Sequence, residues 1–119
     1  PGTGAPGERG EHNTILNAPL RAGDDGHAFS EIFRDLVLPR VRNHAPDLIL
    51  ISAGFDAHKR DPLANIQLDE SDFAWATEEL MEIAATRCKG RIVSLLEGGY
   101  DLQGLATSVA NHVHRLMGA

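Results

Sequence analysis

The sequence predicts an α/β fold in which a three-layer parallel sheet is flanked by helices. Two short apolar runs, residues 48–51 and 92–96, lack the polar alternation of a half-exposed strand. Continuous apolar runs of this length are typical of parallel strands that are covered on both faces. Segments with helical spacing of apolar residues precede, separate and follow the two runs. This alternation of helix and strand favours a parallel sheet with helical crossovers.

The composition fits one modest globular unit and argues against several classes of protein. The chain has 119 residues, with 11 Lys and Arg against 17 Asp and Glu, so its formal net charge is −6. An acidic chain without clustered basic residues is not typical of direct nucleic-acid binding or of attraction to anionic membranes. No apolar run approaches the about 20 residues of a membrane span. Cys88 is the single cysteine, which excludes an intramolecular disulfide and favours a reducing cytoplasm.

The first half of the chain is predicted to contain a loop, a short strand and a helix. Residues 1–13 are rich in glycine and proline and predict an irregular loop. Residues 14–20 form a short apolar run closed by a proline, which predicts a brief strand or an extended segment. Asp24 and Asp25 precede apolar residues at helical spacing and predict the start of the first helix. Pro39 lies inside the continuing pattern and predicts a kink or a new helical start.

The second half is predicted to contain two more helices around the second apolar run. Asp69 and Asp72 are spaced as in a capping box and predict the start of the middle helix. Gly90 is placed to end that helix. From Leu102 the apolar spacing predicts a last helix that runs nearly to the terminus. Counting residues 14–20, the sheet has three predicted strands, and so narrow a sheet needs cover or a partner at its edges.

Two loops at the carboxyl ends of the predicted strands are candidate functional sites, because ligands gather at that edge of parallel sheets. The first loop, residues 52–63, contains Asp56, His58 and Asp61, which carry ligand types suited to a divalent metal. The alternative for an aspartate after a strand is a turn or a helix cap. Spacing alone leaves His58 undecided, because residues two apart need not share a face in a tight turn.

The second loop contains a glycine pair followed by a tyrosine. Gly98 and Gly99 allow a sharp turn and a close approach of ligand atoms to the backbone. Tyr100 follows them, and a protonated tyrosine hydroxyl can donate a hydrogen bond to negative charge that develops on a carbonyl oxygen. The alternative is a surface tyrosine after a glycine turn. A glycine pair is also a weak phosphate-loop signal, but no complete nucleotide-binding motif is present.

Three segments occur together in a fixed order: Pro46 to His58, Asp61 to Leu63, and Leu96 to Tyr100. Together they resemble the zinc-dependent histone deacetylase family, in its class II and bacterial histone deacetylase-like amidohydrolase branch. Residues 1–4 and 13–20 are also similar to that family. The resemblance covers nearly the whole chain, and it implies the C-terminal part of the arginase/deacetylase fold.

The resemblance implies roles for individual residues. Asp56 matches the family's aspartate ligand of the catalytic zinc, and Tyr100 matches its catalytic tyrosine, which hydrogen-bonds the acetyl carbonyl. Gly98 and Gly99 match the glycines that shape the substrate channel. His58 does not bind zinc in the family, and Asp61 is expected to be structural or to lie behind the ligands.

The implied activity is hydrolysis of an N-acetyl amide, in acetyl-lysine or an acetylpolyamine, by a zinc-activated water and a histidine base. The family's other zinc ligands and its paired histidines do not match any segment of this chain. Residues 1–119 are therefore expected to form the C-terminal portion of a single catalytic domain, with residues 14–119 as its strands and helices. The upstream part of that domain is the expected partner, and the isolated chain is expected to be inactive.

Two positions depart from the family pattern, and other functions stay open. Asp101 stands where asparagine is frequent after the tyrosine, and Ala64 stands where glycine is common. The main alternative is a non-catalytic α/β interaction or regulatory module that uses its exposed sheet edge. A phosphate-binding module at the glycine turn is a third reading, and a homo-oligomer is compatible with the narrow sheet.

Overall fold

The computed structural model describes residues 2–118, so Pro1 and Ala119 of the predicted unit lie outside the described residues. Residues 2–13 contain turns and irregular backbone, as the glycine and proline content predicts. The elements that follow, in chain order, are α1 (Gly26–Ile32), a π-helical turn (Phe33–Val37), α2 (Leu38–His44), β1 (Ile49–Ala53), α3 (Glu70–Arg87), β2 (Ile92–Leu96) and α4 (Leu102–Leu116).

The two strands form a parallel pair joined by the α3 crossover. Ile49 lies opposite Ile92 and Ala53 lies opposite Leu96 at the two ends of the ladder. This arrangement confirms the predicted α/β class with a parallel sheet. The strand predicted for residues 14–20 is wrong, because this segment has no ladder and the sheet of the described chain contains only β1 and β2. An apolar run becomes a strand only where a neighbouring strand offers hydrogen-bond partners.

The helices pack against one face of the sheet. Alternate residues of a strand point to opposite faces, and the outward row of this sheet is exposed: Leu50 by 65%, Val93 by 48% and Leu95 by 56%. We call Leu50, Ser52, Val93 and Leu95 the open sheet face. The sequence predicts strands that are covered on both faces. Residues 2–118 cover one face only, so they form two of the three predicted layers. The buried cluster on the covered face consists of Leu38, Ile49, Ile83, Ala84 and Cys88.

The first helical stretch has the start predicted from Asp25 and the irregularity predicted at Pro39. The Asp25 carboxylate accepts a hydrogen bond from the Ala28 N–H at 3.1 Å and caps α1. Before Pro39 the helix widens into a π turn, in which the Leu38 N–H donates to the Phe33 carbonyl five residues earlier. Proline has no amide hydrogen and its ring crowds the preceding turn, so the wider turn lets the helix continue into α2.

The other two helices also begin where the sequence predicts. Asp69 and Asp72 form a complete capping box at the start of α3. Lys89 and Gly90 have φ values of 56° and 75° and turn the chain from α3 into β2. Among residues 2–118 no helix combines the length and the apolar content needed to cross a bilayer.

Candidate active site

The loops after β1 and β2 lie side by side at the carboxyl edge of the sheet. The parallel ladder continues beyond the strands, because the Glu97 N–H donates to the Ala53 carbonyl at 2.9 Å. One step further, the Phe55 N–H donates to the Gly98 carbonyl at 2.8 Å. These backbone bonds place Phe55, which precedes Asp56, beside Gly98, which lies two residues before Tyr100. Asp56 and Tyr100 therefore lie at the same edge although they are far apart in sequence.

The Asp56 carboxylate lies in a recess lined by two glycines. A Cβ added to Gly98 would lie 2.8 Å from Asp56 Oδ2, and one added to Gly54 would lie 3.0 Å from Asp56 Oδ1. The residue is half-buried. Within the part of the chain that the structure describes, no donor hydrogen-bonds to this carboxylate. A partly buried carboxylate whose oxygens are free, in a recess bordered by two glycines, fits the requirements of a metal ligand.

Asp56 can supply one ligand to such a metal. Residues 2–118 contain no group of three or more His, Cys, Asp or Glu side chains that could hold a metal ion together. A catalytic zinc takes three protein ligands. The described residues therefore fit one part of a zinc site.

Tyr100 projects from the second loop directly after a strained backbone position. Gly99 has a φ of 137°, and a Cβ there would lie 2.8 Å from the Leu105 side chain, so the turn requires glycine. The Tyr100 side chain is 59% exposed. Its backbone is fixed from the other loop, because the Tyr100 N–H donates to Asp61 Oδ2 at 2.8 Å.

A second hydrogen bond joins the same two loops. It links the residue before Asp61 to the residue after Tyr100. Arg60 Nε donates to Asp101 Oδ1 at 3.1 Å. Asp101 is also the N-cap of α4, since Oδ1 accepts from the Gly104 N–H at 2.7 Å. These two bonds, with the Gly104 amide contributing most and Arg60 next, lower the pKa of Asp101. Asp101, noted in the sequence only as a departure from the family pattern, therefore starts the last helix and binds the first loop.

His58 is buried inside the first loop, with only 2% of its surface exposed. Its Nδ1 accepts from the Arg60 N–H at 3.1 Å, which leaves Nε2 to donate to the Glu70 carboxylate at 3.0 Å. That hydrogen bond from His58 is the main cause that lowers the pKa of Glu70. Both ring nitrogens are used, so this geometry leaves neither of them for a metal. A Cβ on Gly104 would lie 2.9 Å from His58 Nδ1, so the start of α4 packs directly on the ring.

A buried polar group lies beneath this edge of the sheet. Thr77 Oγ1 donates to a backbone carbonyl of its own helix at 2.6 Å, and it can therefore accept from His112 Nδ1 at 2.7 Å. His112 Nε2 then accepts from Ser94 Oγ at 2.8 Å. Burial lowers the pKa of His112. The ring also contacts Phe55, with 5.5 Å between the ring centroids, so α4, α3 and β2 meet under the first loop.

Four residues of this site were given no role from the sequence: Gly54, Arg60, Glu70 and Asp101. Asp101 carried a usable signal, because an aspartate directly before an apolar-periodic segment is a common helix cap. Gly54 carried a weaker signal, as a glycine two residues before a candidate ligand. Arg60 and Glu70 carried no signal in the sequence. The partner of Arg60, Asp101, is distant in the chain, and the partner of Glu70, His58, lies in an irregular loop.

Comparison with known proteins matches this geometry to one family. A family model described as the histone deacetylase domain matches residues 1–116. Uncharacterized protein slr0245 of Synechocystis sp. is 46% identical over 117 residues, which cover 98% of this chain and 37% of that protein. Histone deacetylase 14, chloroplastic, of Arabidopsis thaliana is 39% identical over 121 residues, covering 99% of this chain and 29% of that protein.

The solved structures give the same result. The crystal structure of the HDA15 HD domain matches with a TM-score of 0.89 and 32% identity, over 99% of this chain and 33% of that one. The chain thus spans 29 to 37% of the length of these relatives. Because the family model covers nearly the whole sequence and both edge loops fit the same architecture, the chain belongs to the histone deacetylase family.

Proposed function

We propose that this chain is the C-terminal part of a zinc-dependent deacetylase domain that hydrolyses N-acetyl amides, in acetyl-lysine or an acetylpolyamine. The observation that carries the proposal is the Asp56 carboxylate, held in a glycine recess without a hydrogen-bond donor among residues 2–118. The neighbouring Tyr100 turn, bound to the same loop through Asp61, supports it. Membership of the histone deacetylase family supports the chemistry.

In this proposal Asp56 binds the zinc ion through its carboxylate. The two further protein ligands and the histidine base belong to the upstream part of the domain, because one aspartate is too few for a catalytic zinc. A bound zinc supplies Lewis-acid polarisation of the acetyl carbonyl and a lower pKa for its water. Gly54 and Gly98 leave room for the carboxylate, since a Cβ at Gly98 would force the carboxylate to shift and one at Gly54 would crowd it.

Tyr100 acts on the substrate side of the reaction. Its hydroxyl donates a hydrogen bond to the acetyl oxygen, on which negative charge develops when the water oxygen adds to the carbonyl carbon. The C–N bond then breaks, the amine leaves with a proton, and the products are acetate and the free amine. Gly98 and Gly99 have no side chains beside this oxygen, so they leave room for the acyl group.

The test uses the chain joined to its native upstream sequence, which we call the completed domain, beside the isolated chain. Acetate release is measured with an acetyl-lysine peptide and with an N-acetylated polyamine, together with the zinc content. We expect activity in the completed domain only. Tyr100→Phe should lower kcat by about 100- to 1,000-fold with zinc retained, because it removes one donor to the developing charge. Asp56→Asn should lose both zinc and activity.

Asp47→Asn is the matched control, because Asp47 is exposed at the opposite end of β1. It should keep wild-type zinc content and activity. A folded, zinc-loaded completed domain that releases no acetate from either substrate would overturn the deacetylase proposal and point to a different acyl group. A completed domain that folds but binds no zinc would overturn the proposal and favour the non-catalytic interaction module.

We also propose a cytoplasmic location. The buried Cys88 thiol, which donates to the Arg91 carbonyl at 3.4 Å, suits any reducing compartment. Two of the relatives carry names that place them in chloroplasts. A fluorescent fusion of the completed domain, imaged in its native cell, distinguishes the two compartments.

A further inference from the structure

We infer that Asp61 is a positioning residue for Tyr100, and that Arg60 supports it by holding the next residue of the same turn. The inference rests on the proposed function and deepens it, because it identifies what sets the tyrosine hydroxyl in place. We call the pair of bonds Asp61 to Tyr100 and Arg60 to Asp101 the loop clamp.

The loop clamp joins two consecutive residues of one loop to two consecutive residues of the other. Asp61 Oδ2 accepts from the Tyr100 N–H at 2.8 Å, and Arg60 Nε donates to Asp101 Oδ1 at 3.1 Å. Both bonds involve an ionised side chain, which makes them stronger than bonds between neutral groups. Two adjacent bonds fix the orientation of the turn as well as its distance from the first loop.

The first loop is itself rigid enough to act as a support. The second oxygen of Asp61, Oδ1, accepts from the Leu63 N–H at 2.9 Å, so both carboxylate oxygens are occupied. The Arg60 backbone is held by the buried His58 ring, which Glu70 anchors to the first turn of α3. The loop clamp therefore connects the Tyr100 turn to α3.

The turn is fixed on either side, at Gly98 and Asp101, but among the described residues Tyr100 itself has no hydrogen bond other than the one to Asp61. The phenol is 59% exposed, and none of the hydrogen bonds between described residues involves its hydroxyl. Gly99, directly before it, has the widest conformational freedom of any residue type. A displacement of about 1 Å at a reacting group can cost about 100-fold in rate, so an anchored backbone at Tyr100 is worth a large factor in turnover.

Asp61→Asn is the sharpest substitution, because it keeps the shape and removes one acceptor. Asparagine has a single acceptor oxygen, and its NH₂ group must then face either the Tyr100 N–H or the Leu63 N–H. In the completed domain we expect kcat to fall by about 10- to 100-fold while zinc content is retained. KM should stay within about twofold, because the hydroxyl acts mainly in the transition state.

A double-mutant cycle with Tyr100→Phe separates positioning from general destabilisation. If Asp61 acts through the Tyr100 hydroxyl, Asp61→Asn should cost less than about twofold once that hydroxyl is absent. Asp47→Asn, the same change at an exposed carboxylate, is the control and should leave kcat unchanged. Hydrogen exchange of the Tyr100 amide, followed by NMR, gives a readout without activity, and we expect it to be faster in Asp61→Asn.

Two results would overturn the inference while leaving the proposed function in place: full kcat in Asp61→Asn, or a loss that multiplies fully with that of Tyr100→Phe. If Asp61→Asn does not fold, Arg60→Gln breaks the other half of the loop clamp and enters the same cycle. A zinc-loaded completed domain without deacetylase activity overturns the proposed function and the catalytic role of Asp61 with it. The exchange rate of the Tyr100 amide then still decides whether the clamp forms.

Discussion

Asp56 and Asp61 carry the same side chain in one loop, and their surroundings give the two carboxylates different uses. Both oxygens of Asp61 accept backbone N–H groups, from Leu63 and from Tyr100. The Asp56 carboxylate accepts no hydrogen bond from residues 2–118. A carboxylate saturated by amides holds structure, whereas one with free oxygens can take up a cation, which is why we assign the metal to Asp56.

His112 should make the stability of the fold depend on pH in one direction. Burial lowers its pKa in the folded state below the ordinary value of about 6.5, so the unfolded chain takes up the proton first as the pH falls. The contribution of His112 is complete above about pH 6.5 and is lost as the pH falls through this value towards the lowered pKa. Urea unfolding of the completed domain between about pH 5 and 8 should show this slope.

The matched control for His112 lies two residues further along the same helix. His112→Gln should flatten the pH dependence, because the buried titrating group is gone. His114 is exposed, and His114→Gln should keep the wild-type slope. An unchanged slope in His112→Gln would show that another group causes the pH dependence.

At this scale the sequence pointed to individual residues such as Asp56 and Tyr100, but not to the side-chain partners that are distant in the chain. Asp56 and Tyr100 were singled out by their place after the strands and then by the family resemblance, and their roles stay proposals. The bond of His58 to Glu70 spans 12 residues and that of Asp61 to Tyr100 spans 39. Spacing rules describe neighbours within one helix turn or one strand, so they carry no information on such pairs.

Among the helices, the contact between the start of α1 and the start of α3 gives a prediction with an unusual sign. Glycine to alanine within a helix normally stabilises by about 0.5 to 1 kcal/mol. A Cβ on Gly26 would lie 2.2 Å from Asp72 Oδ1, and Asp72 cannot move away without losing the Asp69 N–H in the capping box. We therefore expect Gly26→Ala to destabilise the chain by about 1 to 3 kcal/mol in urea unfolding.

The control for this prediction is the same change without the aspartate. In an Asp72→Ala background the obstruction is gone, so Gly26→Ala should become stabilising, by less than the about 0.5 to 1 kcal/mol of a helix interior because Gly26 is the first residue of α1. If the sign does not reverse between the two backgrounds, Asp72 is not the reason that this position holds glycine.

Helices were predicted more accurately than strands, for a physical reason. The starts of α1 and α3 are determined by Asp25, Asp69 and Asp72, whose effects act within one turn. A strand depends on a partner elsewhere in the chain, and residues 14–20 have none among residues 2–118. Pro39 correctly predicted a break in the pattern, but only the structure shows that a π turn accommodates it.

For the whole molecule, the open sheet face is the feature with the largest consequence. It presents Leu50, Val93 and Leu95 to solvent on a sheet whose other face is packed. Such an apolar face favours association. We expect the isolated chain to self-associate in sedimentation experiments, and Leu50→Ser to reduce this. Leu36→Ser removes an exposed leucine from the helical layer and should leave the association unchanged.

In the completed domain the same Leu50→Ser substitution should lower stability. There we expect the upstream part to cover the open sheet face, so truncating Leu50 should cost about 2 to 5 kcal/mol of unfolding free energy. A monomeric isolated chain together with an unaffected completed domain would contradict this assignment of the face.

The α/β class and the parallel sheet were predicted correctly, but the described residues form two layers where three were predicted. The apolar residues on both faces of β1 predict cover on both sides, and the described residues supply it on the Ile49 side only. A sequence pattern records what a strand face requires. It does not record which segment of a protein provides the cover.

The loop clamp also has a consequence for biosynthesis. Arg60 and Asp101 are separated by 41 residues along the chain. At about 5 to 20 residues per second, a ribosome needs several seconds to make the interval between them. During that time the Asp56 loop has been made but its Tyr100 counterpart has not. The proposed catalytic edge therefore cannot be completed until Tyr100 and Asp101 have been made, and premature termination before Tyr100 would leave a sheet edge without its tyrosine turn.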